Sequence, residues 1–282
     1  MTHHLRRLAA STTLALATLA PAALTAQGAG AAALAAPAAA PAPPAGDRPA
    51  TPVKLPAARE VLDRYVKAIG GREEVMRHGS RRATGTLEIP AAGIKGDMVA
   101  SAAKPNKMLV TVSLPGIGEM RQGFDGTVGW SIEPTQGPMV LAGRQLEQRR
   151  AQSDFYGDLH ESKSYRAMET IDLVDFEGAK AYKVKLVRQS GDSLYELFDA
   201  TSGLMVGTIS TQDSPMGAMT ITSVVGDYKS FGALRMPTRV TQKFPTGQQV
   251  TVTVNTVEFD TVPPTTFDLP TEIRTLAGPA GK

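Results

Sequence analysis

Two periods divide the chain. Over 61–69, Val61, Leu62, Tyr65, Val66 and Ile69 recur every three or four residues, the spacing of one buried helical face, and Gly70-Gly71 stops the run. A second short helix is predicted over 72–77, ended by Gly79. The period then changes to two. Ala83, Gly85, Leu87 and Ile89 alternate with polar residues; Ile94, Met98, Ala100 and Ala102 share one side of the next run; Met108, Val110, Val112 and Leu114 repeat it, as do Val128, Trp130 and Ile132. Turn residues bound each run, namely Pro90, Pro105-Asn106, Pro115-Gly116, Asp125-Gly126 and Pro134, so an antiparallel meander with one wet face is predicted. The stretch 145–165 is polar and helix-compatible, with Leu146, Phe155, Tyr156 and Leu159 as its apolar contacts. Strands return over 169–176, 181–188, 193–199, 204–212, 218–228, 236–244 and 248–259, with glycines at or near the turns. About eleven strands in one sheet do not stay flat, so the sheet must curl and fill its concave face with apolar groups. The fold class is mainly β with a few helices: a large curled antiparallel sheet covered by N-terminal and central helices.

The ends follow other rules. Residues 1–26 read as a signal peptide: Arg6 and Arg7 without acids, an uncharged Ala/Leu run over 8–24, and Ala26 as a small residue at the cut. The run is Ala/Thr-rich and broken by Pro21, so it makes a poor membrane anchor, and no stable membrane span is expected. Residues 27–56 are Ala, Pro and Gly with scattered polar groups, the composition of a disordered linker. One β domain is expected over 57–275, with a frayed tail at 276–282. Export places the working domain in the periplasm, with full secretion as the alternative.

Charge and composition then exclude several classes. The formal net charge is +3, of which Arg6 and Arg7 supply two, and no Lys/Arg cluster carries interleaved aromatics, so no nucleic-acid partner is expected. The chain has no cysteine, which excludes disulfides, thiol catalysis and a lipid-modified N-terminal Cys. Beyond residue 26 the histidines are His78 and His160. His78 ends a short helix, where a cation suits the helix dipole, and His160 lies in the charged run Asp158-Leu159-His160-Glu161, expected on a solvated helix. No metal-ligand spacing joins them, and no cofactor is expected. Ser101-Ala102-Ala103-Lys104 matches a Ser-x-x-Lys pattern, but it ends a strand before Pro105 and lacks the partner motifs. There is no Gly-x-Ser-x-Gly elbow, phosphate loop or dinucleotide fingerprint, so a non-enzymatic protein is expected. Met98, Met108, Met120, Met139, Met205, Met219 and Met236 are spread along the strands, and methionine suits a surface that adapts to varied apolar ligands.

Five stretches carry a resemblance: 62–71 (LDRYVKAIGG), 85–89 (GTLEI), Gly123-Phe124-Asp125-Gly126 leading to Trp130, Asp154-Phe155-Tyr156, and Phe267-Asp268-Leu269-Pro270. Together the chain from about 57 to 270 resembles the outer-membrane lipoprotein-sorting-protein-like family, related to the Lol-type periplasmic lipoprotein carriers. The resemblance implies a half-open barrel closed by helices around an apolar cavity for acyl chains, with lipid or an acylated lipoprotein as partner. Strand parity makes Leu87, Met98, Met108, Val110, Val112 and Trp130 the candidate cavity lining. The leading expectation is an exported carrier or binding protein for lipid or lipoprotein acyl chains. The alternatives are an interaction or sensor module serving an envelope membrane complex, and a hydrolase built on a buried Ser or acid beside His78 or His160.

Overall fold

Ala58, Val61, Leu62 and Tyr65 are buried along one side of helix α1 (Ala58–Ala68), as their spacing predicts. Gly70 and Gly71 end it with positive φ, and the Gly71 amide closes on Val66 O at 2.9 Å. A side chain at Gly70 would also meet Ala233 O at 2.7 Å, so glycine is required twice over there. Helix α2 (Arg72–Arg77) follows, with Glu73 and Glu74 in its first turn and Arg77 in its last, each matched to the helix dipole. The computed structural model describes residues 54–214 and 217–278; the expected signal peptide and nearly all of the expected linker lie outside them.

The alternating runs form β1 (Ser80–Ile89), β2 (Ile94–Ala103), β3 (Lys107–Leu114), β4 (Gly118–Phe124), β5 (Gly129–Glu133) and β6 (Gly137–Val140). After helix α3 (Gly143–Gln152) and 3₁₀ turns at Gly157–Leu159 and Ser162–Ser164 come β7 (Tyr165–Phe176), β8 (Ala179–Arg188), β9 (Ser193–Asp199), β10 (Met205–Ser214), β11 (Gly217–Phe231), β12 (Leu234–Lys243) and β13 (Gln249–Phe259). A 3₁₀ turn at Pro264–Phe267 and helix α4 (Thr271–Ala277) close the described chain. Helix α4 therefore includes Leu276 and Ala277, the first residues of the expected frayed tail.

The sheet is antiparallel with 13 strands in the order β6-β5-β4-β3-β2-β1-β13-β12-β11-β10-β9-β8-β7. Two meanders thus run outward from the β1–β13 pair, which joins the start of the domain to its end. The result is the expected curled, half-open barrel, with β6 and β7 as its end strands among the described residues. Strands β4 and β6 were not expected. Gln122 stands between Met120 and Phe124 on β4, and Pro138 interrupts β6, so neither alternates cleanly.

The inner face holds two apolar clusters. One joins β1–β4 to β11–β13 through residues such as Leu87, Met98, Val110, Val225, Val240 and Val252. The other seats α1 on β8–β10 through Leu62, Tyr65, Leu186, Leu194, Phe198 and Met205. On the outer face, α4 packs on β6 and the last 3₁₀ turn on β3, with Arg121 Nη2 donating to Glu272 Oε1 at 3.0 Å.

Candidate functional site: the inner face and its cover

Residues directly opposite on paired strands project from the same side of a sheet. Val112 faces Met98, which faces Gly85, which faces Val254; Val110, Ala100, Ala83 and Val257 form the next row, and Met108, Ala102, Arg81 and Phe259 the one after. Leu87 pairs with Val252. The structure therefore brings Leu87, Met98, Met108, Val110 and Val112 together on one buried inner face. Trp130 is not with them. It pairs with Gly123, which pairs with Leu109, and that row alternates with Val110 and Phe124. Trp130, 3% exposed, is thus on the outer face, which carries the C-terminal segment. A side chain at Gly123 would meet its ring at 2.7 Å, so this glycine gives the indole its seat.

The inner face is filled by its own side chains. Of the spaces between sheet and cover, one of about 30 Å³ is lined by Tyr65, His78, Arg81, Phe155, Asp158 and neighbours. Another, of about 10 Å³, adjoins Arg81, Ala83, Ala100, Ala102 and Val254. These have room for a water or two and none for an acyl chain. Larger grooves, about 440 Å³ and 370 Å³, lie on the outside of the cover and have mixed charged walls.

The cover consists of α1, α2, α3 and the segment 153–165, and the segment fastens it. Ser153 Oγ caps Arg149 O at 2.7 Å and Phe155 N donates to Pro105 O at 3.0 Å. Tyr156 OH donates to His78 O at 2.9 Å, Tyr65 OH to Asp158 Oδ1 at 3.0 Å, and Arg59 Nη1 to His160 O at 2.8 Å. Arg72 pairs with Glu161. The stretch 145–165, where one or two helices were expected, is therefore the body of α3 followed by two tight turns.

His160 is not on a solvated helix. It is 1% exposed, because a left-handed backbone (φ 49°) at the end of its 3₁₀ turn swings the imidazole inward. Nε2 lies 2.6 Å from Glu196 Oε2 on β9, and Nδ1 lies 2.9 Å from Asp158 O. Burial opposes protonation, but Glu196, by charge and hydrogen bond, together with Asp158, outweighs it and raises the His160 pKa above its ordinary 6.5. Both ring nitrogens are committed, so this imidazole is a fastener rather than a base. A signal for it existed: Glu196 occupies the same inward parity as Leu194 and Phe198. His78 does end α2, where Nδ1 pairs with Asp260 Oδ2 at 2.8 Å and the ring stacks on Phe259. Ser101 lies within extended β2, so Ser101 and Lys104 do not share a helical turn. Met98, Met108, Met205 and Met236 are buried, whereas Met139 on edge strand β6 is 39% exposed. Among the described residues no cluster of His, Cys, Asp and Glu could hold a metal ion, and no helix is long and apolar enough to cross a membrane.

Buried under α3 is a second polar group that the sequence did not announce. Arg149 Nη2 donates to Gln122 Oε1, and Nη1 lies 3.9 Å from Met108 Sδ. Burial lowers the guanidinium pKa to about 10.

No family model matches the chain, and no curated protein matches it in sequence. Solved structures do match. A DUF1329 family protein from Desulfovibrio piger ATCC 29098 superposes with a TM-score of 0.52 at 10% identity, over 75% of this chain and 97% of that one. A LolA superfamily protein from Nitrosomonas europaea superposes with a TM-score of 0.52 at 13% identity, over 76% of this chain and 99% of that one. The resemblance read from the sequence is borne out in architecture: this chain has the fold of a LolA superfamily protein, a curled antiparallel sheet roofed by helices.

Proposed function

We propose that this chain is an exported, non-enzymatic binding or carrier protein for lipid or for the acyl part of a lipoprotein, working in the periplasm. The observation that carries the reading is the inner face itself: a broad, buried aliphatic surface whose roof is made of helices and a segment rather than strands. Lifting such a roof would expose the α1 cluster and break the contacts of Arg59, Tyr65 and His160 while leaving the strand pairing intact. The fold shared with a LolA superfamily protein supports the same reading. Each methylene moved from water onto this face contributes roughly 0.8 kcal/mol, so a twelve-carbon chain brings roughly 9 kcal/mol to offset the cost of opening.

The test is native mass spectrometry of the protein purified from a bacterial envelope, with solvent extraction and uptake of a fluorescent fatty acid. A co-purified lipid or acylated peptide is expected. Val110→Asp, which places a carboxylate in the middle of the inner face, is expected to abolish probe uptake; a folded variant that still takes up the probe would count against this face as the site.

A second reading, an envelope interaction or sensor module, draws on the filled interior and on β7, a 12-residue strand that ends the sheet among the described residues. A clean protein mass together with no probe uptake would turn the reading to a partner that docks on that edge.

A further inference from the structure

Within the inner face and its cover, the charge on Arg149 has no counter-ion. Arg149 is 9% exposed, among the described residues no carboxylate pairs with it, and burial lowers its pKa. Its Nε meets no acceptor. Gln122 accepts from Arg149 through its oxygen, and its Nε2 meets no acceptor either. The orphaned groups are therefore all N–H donors. A guanidinium beside an unused amide donor matches the oxygens of a carboxylate or phosphate, which would also bring the missing negative charge.

The surroundings point to what is attached to that anion. Gln122 and Met108 project from the inner face, and Leu146 on α3 packs against its apolar cluster. Met108 pairs with Ala102 on the next strand. Ala102, Ala100 and Ala83 line the 10 Å³ cavity, which shares Arg81, Met236 and Pro237 with the 30 Å³ one. Small side chains thus leave a water-sized void one strand from the sulfur touching Arg149. We propose that Arg149, with Gln122, anchors the headgroup of a single-chain anionic amphiphile, its carboxylate or phosphate at the guanidinium and its alkyl chain over Ala83, Ala100 and Ala102, where room is made only when the cover lifts. The inference rests on the carrier reading and adds the charge and the orientation of the ligand.

The test compares dodecanoate, dodecyl phosphate and dodecanol as competitors of a fluorescent probe on the wild-type protein, Arg149→Met and Arg149→Lys. The wild type is expected to bind at least one of the anions about tenfold or more tightly than the alcohol, the scale of a charge-assisted hydrogen bond, and the tighter anion identifies the headgroup class. Arg149→Met keeps the chain length, removes a lone buried charge, and is expected to bind all three alike, while Arg149→Lys recovers part of the preference. Equal binding of acid and alcohol by the wild type, or an undiminished preference in folded Arg149→Met, would overturn the anchor and leave the carrier reading standing. Failure of all three to bind the wild type would overturn both.

Discussion

The two halves of the inner face solve the problem of burial differently. Around β1–β4 the rows are mostly aliphatic, interrupted by Arg81 and Gln122, and the buried charge above them, Arg149, has no acid among the described residues. Around β9–β12 one row crosses the sheet as Glu196, Thr208, Ser223 and Gln242, all buried, and the charge in it is answered by His160 from the cover. A buried pair is costly to break because the survivor is left charged in an apolar place, whereas a lone buried charge is a standing cost that a ligand can relieve. The contrast separates a half whose buried charge is paired with its cover from a half whose buried charge has no acid among the described residues.

The largest effect tests the fastening. Glu196→Ala leaves His160 buried without its carboxylate and is expected to cost about 3–5 kcal/mol in urea unfolding. A loss below about 1 kcal/mol would mean that the pair does not hold the cover. Tyr65→Phe removes the hydroxyl from Asp158 Oδ1 and is expected to cost about 1–2 kcal/mol by the same assay, since a part-buried acceptor loses its donor. In the other half the sign reverses: Arg149→Met should stabilise the ligand-free protein by about 1 kcal/mol, because an unpaired buried charge gives way to an apolar side chain of similar length. A loss of comparable size would show that the Gln122 bond outweighs the cost of burying the charge.

The same contrast explains what could be read from the sequence. Met108, Val110, Val112 and Leu114 alternate without interruption, so their strand and its inward face follow from period alone. Trp130 alternates just as well, yet which face its parity selects depends on the pairing of β5 with β4, and β4 was hidden by an inward Gln122 and a Gly123 that exists to seat the indole. His160 looked solvated because its neighbours Asp158 and Glu161 are charged. Their partners, Tyr65 and Arg72, come from helices about ninety residues away, and Glu196 from a strand 36 residues on. Arg149 reads as one more exposed arginine on a polar helix until α3 is laid over Gly129, where a side chain would strike Leu146 and Arg149 itself. Patterns of period two are local, but the pairing of buried polar groups is decided by topology.

The smallest effect is a slope with pH, and it isolates the pair from everything else. The fold raises the His160 pKa above its unfolded value near 6.5, so the pair's contribution is fully present below that value and is lost as pH climbs through the folded pKa. The groups facing the ring are Glu196 from β9, Asp158 from its own turn, and the rings of Tyr65, Tyr165 and Phe198. Glu196→Gln keeps the shape and removes the charge, leaving burial, which lowers the pKa, as the dominant influence. The wild type should therefore lose stability between pH 6.5 and 8.5 relative to Glu196→Gln, whose curve should be flat or rise, as read by thermal unfolding across that range. Parallel curves would mean that His160 is neutral in the fold throughout, and the fastening would then be an ordinary hydrogen bond instead of a charged one.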